Sequence, residues 1–284
     1  MMTTGRRIGR NVAEGIAMKN GCAAVRDTDM YYVSFGNGSK NLVVLPGLSD
    51  GLSTVKGKGV FLKAPYKKHL DEYTVTVFSR KNDMPEGYTI RQMAEDQALA
   101  MKEIGINRAA ILGVSQGGMI AQYLAIDYPD LVDKLILAVT APNANEVVKD
   151  AVGSWIQIAE QGDHVRLMVD TAERMYSKQY LEKNRKLFPL MARFTKPASY
   201  ERFFRNACAI LEFNACDELS RISCPTLIIA GSDDHTVGNE APYTLHNGIP
   251  GSRMVIYQGL GHGAFEEAKD FYDQVFGFCS AQEP

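Results

Sequence analysis

Ser115 stands between two glycines in Gly113-Val114-Ser115-Gln116-Gly117, with Gly118 following. A serine hydroxyl is a poor nucleophile at its own pKa, so it needs a base, and the base needs an acid to orient it. Two later stretches hold those residue types. Gly231-Ser232-Asp233-Asp234-His235 offers carboxylates, and Gly259-Leu260-Gly261-His262-Gly263 offers an imidazole between glycines. In chain order the types run Ser, then Asp, then His. Such a set suits attack on a carbonyl carbon with proton transfer to the imidazole.

Each group sits where an apolar run ends. Arg108-Ala109-Ala110-Ile111-Leu112 leads into the serine turn, and a helical pattern over 119–128 leaves it. A Gly-x-Ser-x-Gly turn between strand and helix is sharp, and side chains two residues either side of the serine would clash. Glycine at 113 and 117 removes that clash and leaves the hydroxyl exposed. Thr226-Leu227-Ile228-Ile229-Ala230 precedes the carboxylates, and Arg253-Met254-Val255-Ile256-Tyr257 precedes the histidine loop. Further strand-like runs cover 30–35, 41–45, 73–78 and 134–139, the first turned by Gly36-Asn37-Gly38. Thr89-Ile90-Arg91-Gln92 has the capping-box spacing and predicts a helix running to about Ile104. Continuous apolar strands alternating with helices predict a parallel sheet covered on both faces. Ligands gather beyond the strand carboxyl ends of such sheets, so the three loops point to one place.

From 142 to 220 the texture changes to helices alone, over 146–161, 164–174, 178–190 and 199–211, with Pro189 and Pro197 marking breaks. We expect this block to be a cap inserted over the carboxyl edge of the sheet, with 1–141 and 221–284 forming the core domain. The first ~20 residues are polar and pattern-poor and are expected to be loosely ordered.

The serine turn, the Gly-x-x-Asp after a late strand and the Gly-x-Gly-His after the last one together carry a family resemblance. Over nearly everything from 30 to 278 the chain resembles an α/β-hydrolase-fold protein of the esterase/lactonase type with a helical cap. The resemblance implies an α/β architecture, a mostly parallel central sheet flanked by helices with an inserted helical cap. It implies Ser115 as nucleophile, Asp234 as orienting acid and His262 as general base. The oxyanion hole would be the backbone N–H groups of Gln116 and Leu48. The family's loop usually reads His-Gly-x; here it is Pro46-Gly47-Leu48, and the donor is main chain in either case. The implied activity is cleavage of a small carboxylic ester or lactone through an acyl-enzyme, without a cofactor. The same triad would serve enol-lactone hydrolysis, C–C bond hydrolysis of a diketone, acyl transfer or perhydrolysis. Serine at the elbow argues against haloalkane dehalogenase or epoxide hydrolase chemistry, which uses aspartate there. A hydrolase-like receptor that binds ligand without useful turnover is the reading from another class. A matched Ser, Asp and His weighs against it.

Several neighbours compete for these roles. Asp233 adjoins Asp234, but the Gly-x-x-Asp offset favours Asp234 and leaves Asp233 as a solvated turn carboxylate. His235 lies beside that acid and is poorly placed to bridge it to a serine on another loop. His69, His164 and His246 have polar surroundings and read as surface residues. Ser49 and Asp50 either touch substrate or make a plain turn. Bulky apolar residues of the helical block, among them Trp155, Met175, Tyr176, Phe188, Phe194 and Phe203, either pack the block itself or line an acyl pocket.

Composition narrows the classes. The 284 residues carry a net charge of −2 with no long basic run, which argues against nucleic acid as a partner. Cys22, Cys208, Cys216, Cys224 and Cys279 are scattered with no Cys-x-x-Cys pair, as in reduced cytosolic thiols. No His/Cys/Asp/Glu group shows metal-ligand spacing, and Gly57-Lys58-Gly59 is not a phosphate loop. Arg6, Arg7 and Arg10 are not followed by a signal-peptide apolar stretch, and no window approaches membrane-spanning length. The expectation is a soluble cytoplasmic protein, monomer or homodimer, whose partner is a small-molecule acyl substrate.

Overall fold

A computed structural model describes residues 16–281. Arg6, Arg7 and Arg10, and most of the stretch expected to be loose, lie outside the described residues. Eight strands form one sheet: β1 (Met18–Val25), β2 (Thr28–Phe35), β3 (Lys40–Leu45), β4 (Tyr73–Lys81), β5 (Ala109–Val114), β6 (Val132–Ala138), β7 (Thr226–Gly231) and β8 (Arg253–Tyr257). Their order across the sheet is β1-β2-β4-β3-β5-β6-β7-β8. β1 with β2 and β2 with β4 are antiparallel. The remaining pairings, from β4 through β3, β5, β6 and β7 to β8, are parallel. The mostly parallel sheet is therefore present, with an antiparallel edge.

That edge is where sequence and structure part. Met18–Val25 has little β-branched content, and no strand is expected there from its pattern. It pairs with β2 along its whole length and buries Ala23 and Val25 at alternate positions. Pairing and one buried face outweigh weak intrinsic propensity.

Alternation along the central strands builds a core on each face. Val43, Leu45, Ile111, Leu135, Leu137 and Ile228 face one side. Leu42, Val44, Leu112, Ile136, Leu227 and Ile229 face the other, where Phe271, Val275 and Phe276 of the helix Phe271–Ser280 cover them. The helix Ile90–Glu103 opens with the expected capping box: the Thr89 hydroxyl accepts from Gln92 N–H and the Gln92 side chain accepts from Thr89 N–H.

Between β6 and β7 run the helices Glu146–Glu160, His164–Met175, Lys178–Asn184, Leu187–Thr195 and Glu201–Leu211. The two ends of this block meet, with Ala144 N–H donating to Phe213 O at 2.9 Å and Ala215 N–H to Pro142 O at 2.8 Å. The helix expected over 178–190 is in two pieces. Its break falls at Arg185 and Lys186, and Pro189 sits in the first turn of the second piece, where its missing N–H has no intrahelical acceptor to lose. His164, expected at the surface, is buried instead and bonds through Nε2 to Thr195 Oγ at 3.2 Å. Among the described residues no helix is long and apolar enough to cross a membrane.

Candidate active site

Ser115 occupies the single residue between the end of β5 and the start of the helix Gln116–Asp127. Its backbone lies at φ 54° and ψ −120°, a left-handed conformation that side chains other than glycine resist. The strain, about 1–3 kcal/mol, is held by neighbours. Ser115 N–H donates to Ala138 O at 2.9 Å, and its carbonyl accepts from Thr140 Oγ at 2.7 Å and Gly118 N–H at 2.8 Å. The flanking glycines are sterically required. A Cβ at Gly117 would lie 1.9 Å from the Leu45 carbonyl oxygen, and one at Gly113 would lie 2.5 Å from the Gly117 oxygen. Ser115 as a whole is partly exposed.

Asp234 follows β7 and is buried. Its Oδ1 accepts from the N–H groups of Thr236 and Val237 at 2.8 and 2.9 Å. Its Oδ2 lies 2.8 Å from His262 Nδ1, and His262 Nε2 lies 2.9 Å from Ser115 Oγ. An ionised carboxylate has no proton to donate, so Nδ1 carries the hydrogen and Nε2 is free to accept the serine proton. Asp233 and His235 are both exposed, and Asp233 accepts from its neighbour Ser232 Oγ. The structure thus gathers Ser115, His262 and Asp234 into one hydrogen-bonded line and leaves Asp233 and His235 outside it. The inserted helices reach this line, since Gly263 N–H donates to Met175 O at 2.7 Å and Tyr176 OH to Glu266 at 2.6 Å.

Leu48 and Gln116 each begin a helix, so their N–H groups have no acceptor inside it. The loop carrying Leu48 lies against the serine: a Cβ at Gly47 would sit 3.2 Å from Ser115 Cβ and 3.7 Å from its Oγ. Behind both donors stands Arg80, at the end of β4, which the sequence reading passed over. Its buried guanidinium donates through Nη2 to Pro46 O at 2.5 Å and to Gln116 Oε1 at 3.1 Å. Burial pushes its pKa down to about 10, against the opposing pull of Asp50. Asp50 is neither a solvated turn residue nor open to a ligand. It is buried and accepts from Arg80 N–H at 2.9 Å, while Ser49 beside it is exposed. The signal for Arg80 was the polar run Ser79-Arg80-Lys81 continuing a buried strand.

The bulky residues of the inserted block divide. Trp155 and Phe203 are buried in the core, Phe188 stacks on Tyr176, and Phe194 is 83 % exposed. Among the described residues no three His, Cys, Asp or Glu side chains gather where they could hold a metal ion.

The profile of the alpha/beta hydrolase fold matches residues 67–269. 3-Oxoadipate enol-lactonase 2 of Acinetobacter baylyi is 24% identical over 215 residues, covering 74% of this chain and 77% of that protein. The 2-hydroxy-6-oxononadienedioate/2-hydroxy-6-oxononatrienedioate hydrolase of a Pseudomonas species is 26% identical over 259 residues, 84% of this chain and 87% of that one. In shape the chain is similar to an alpha/beta hydrolase enzyme from a Medee basin deep-sea metagenome library, with a TM-score of 0.82 at 21% identity, covering 93% and 98% of the two chains. With a profile match over most of its length and the sheet order described above, this chain belongs to the alpha/beta hydrolase fold family, and hydrolase activity is what that membership supports.

Proposed function

We propose that this protein is a serine hydrolase of small carboxylic esters or lactones, working through an acyl-enzyme on Ser115. The observation that carries the reading is the unbroken line Asp234–His262–Ser115, with contacts of 2.8 and 2.9 Å. Ser115 Oγ attacks the carbonyl carbon as His262 Nε2 takes its proton, and Asp234 holds the imidazole in that tautomer. The N–H groups of Leu48 and Gln116 receive the oxyanion of the tetrahedral intermediate, a contribution of about 3 kcal/mol per donor. His262 then gives its proton to the leaving oxygen, and water activated by the same imidazole hydrolyses the acyl-enzyme. The helices between β6 and β7 act as a cap that excludes water and selects substrate. Similarity to an enol-lactonase supports the lactone half of the proposal.

A fluorophosphonate probe should label the folded protein at Ser115, and p-nitrophenyl acetate should be turned over. Ser115→Ala should abolish labelling and lower kcat by at least ~10³-fold. An unlabelled, inactive parent, or an active Ser115→Ala, would overturn the proposal.

A further inference from the structure

One helix of the inserted block, Glu201–Leu211, holds both loops that carry the proposed oxyanion donors. Arg202 donates through Nε to Asp50 O at 3.0 Å and through Nη2 to Asp50 Oδ2 at 2.7 Å. The same guanidinium reaches Arg80 O and Lys81 O, each at 2.8 Å. Asp50 lies two residues beyond Leu48, and Arg80 in turn holds Pro46 O on the other side of that donor. Four residues along the helix, the Asn206 carbonyl accepts from Gln116 Nε2 at 2.9 Å. The loop and helix are in close contact, because a Cβ at Gly51 would meet Phe203 Cα at 2.9 Å.

Stability does not account for this cluster. It buries the Arg80 guanidinium and the Asp50 carboxylate and half-buries the Arg202 guanidinium, so two positive charges share one negative one. Asp50 Oδ1, Arg80 Nε and Asn206 Oδ1 find no partner there. A buried ion pair is weak evidence for stability, whereas the hydrogen bonds it does make rigidify the groups they join. A donor of the proposed kind must stay within ~0.5 Å of its working position. We propose that Arg202 is a positioning residue, fixing the Leu48 loop to the inserted helix so that seating of that helix sets the spacing of the two oxyanion donors. The inference rests on the serine-hydrolase reading above.

The test compares Arg202→Met, Arg202→Lys and Arg205→Met in the full chain. Arg205 lies on the same helix and is partly exposed, but it pairs with Glu201 at 2.6 Å and Glu86 at 3.9 Å rather than with Asp50. Turnover of p-nitrophenyl acetate, inhibition by a boronic acid that forms a tetrahedral serine adduct, fluorophosphonate labelling and thermal melting are read together. Arg202→Met should lower kcat by roughly 10–100-fold with KM within about threefold, and weaken the boronic acid in parallel with kcat. Arg202→Lys should recover part of both, because an ammonium can reach Asp50 but cannot bridge three carbonyls at once. Arg205→Met should leave all readouts unchanged. If Arg202→Met lowers only the melting temperature, leaving kcat and boronic-acid affinity within twofold of the parent, the inference is overturned. Should Arg202→Met not fold, Asp50→Asn carries the test: it keeps the shape and must still lower kcat several-fold at unchanged KM, and an unaltered kcat overturns the inference. A parent that neither takes the fluorophosphonate label nor turns over p-nitrophenyl acetate overturns the hydrolase reading and this inference with it. A labelled parent with an unaffected Arg202→Met overturns this inference alone.

Discussion

The two oxygens of Asp234 have different partners, and that difference decides what an amide would do in their place. Oδ1 receives two backbone N–H groups, from Thr236 and Val237, while Oδ2 receives His262 Nδ1. In Asp234→Asn the amide oxygen must stay on the Oδ1 side, because an NH₂ there would face two donors. The NH₂ is then turned toward Nδ1, which can only accept, and the proton moves to Nε2, the nitrogen that Ser115 needs free. We therefore expect Asp234→Asn to lower kcat by ~10⁴-fold with the fold intact. Asp233→Asn, whose exposed side chain bonds only to its neighbour Ser232, should stay within about twofold. Reversal of that ranking in a p-nitrophenyl acetate assay would reassign the acid. Gly117 gives a second residue-scale test. A methyl group there meets the Leu45 carbonyl at 1.9 Å, which is backbone and cannot swing away. Gly117→Ala should cost about 3 kcal/mol in urea unfolding, near the top of the range for overpacking. A loss below half that would show the elbow to be softer than its geometry implies.

Elements were legible where their signals are local. The capping box at Thr89, the glycines around Ser115 and the apolar runs ending at Asp234 and His262 all act within a few residues, and each lies where its pattern placed it. What escaped were groups whose partners are remote. Asp50 and Arg80 are 30 residues apart in sequence, Arg202 and Arg80 122, and Arg202 and Asp50 152. No spacing rule spans such distances. His164 failed for the same reason: its flanking sequence is polar, and its buried environment comes from Thr195 on another helix. Burial, reinforced by the Lys196 charge, holds the pKa of this imidazole below its ordinary 6.5. The folded protein then binds fewer protons than the unfolded chain between that depressed value and 6.5. Stability contributed by neutral His164 is complete above 6.5 and is lost as pH falls toward the folded value. His164→Gln, which keeps a donor for Thr195 without the titration, should flatten the fall in melting temperature as pH drops below 6.5. Parallel curves for parent and variant would remove His164 from the account.

At the scale of the whole molecule, the inserted helices and the sheet share one apolar core. Trp155, Ile158, Leu167, Phe203 and Phe213 from the block belong to the same contiguous buried cluster as Ile111 and Ile228 from the sheet and Met119 and Ile120 from the helix Gln116–Asp127. Polar ties run alongside, from Arg202 to Asp50 and from Ser177 and Tyr176 to Glu267 and Glu266. Elements that share a core lose their contacts together, whereas a block resting on a polar seam opens first. The chain carries a built-in reporter for this distinction, because Trp155 is the only tryptophan among 284 residues and lies buried in the inserted block. Its indole N–H donates to Asp170 at 2.9 Å, also within the block. Tryptophan fluorescence therefore follows the inserted helices, while far-ultraviolet circular dichroism follows all helices and strands together. In urea the two probes should give coincident midpoints and equal slopes, the mark of a single cooperative transition. A fluorescence transition that precedes the circular dichroism transition would mean that the block detaches while the sheet stays folded. The shared cluster would then be too weak to couple them, and the seating of the 201–211 helix would be an equilibrium rather than a fixed feature of the fold.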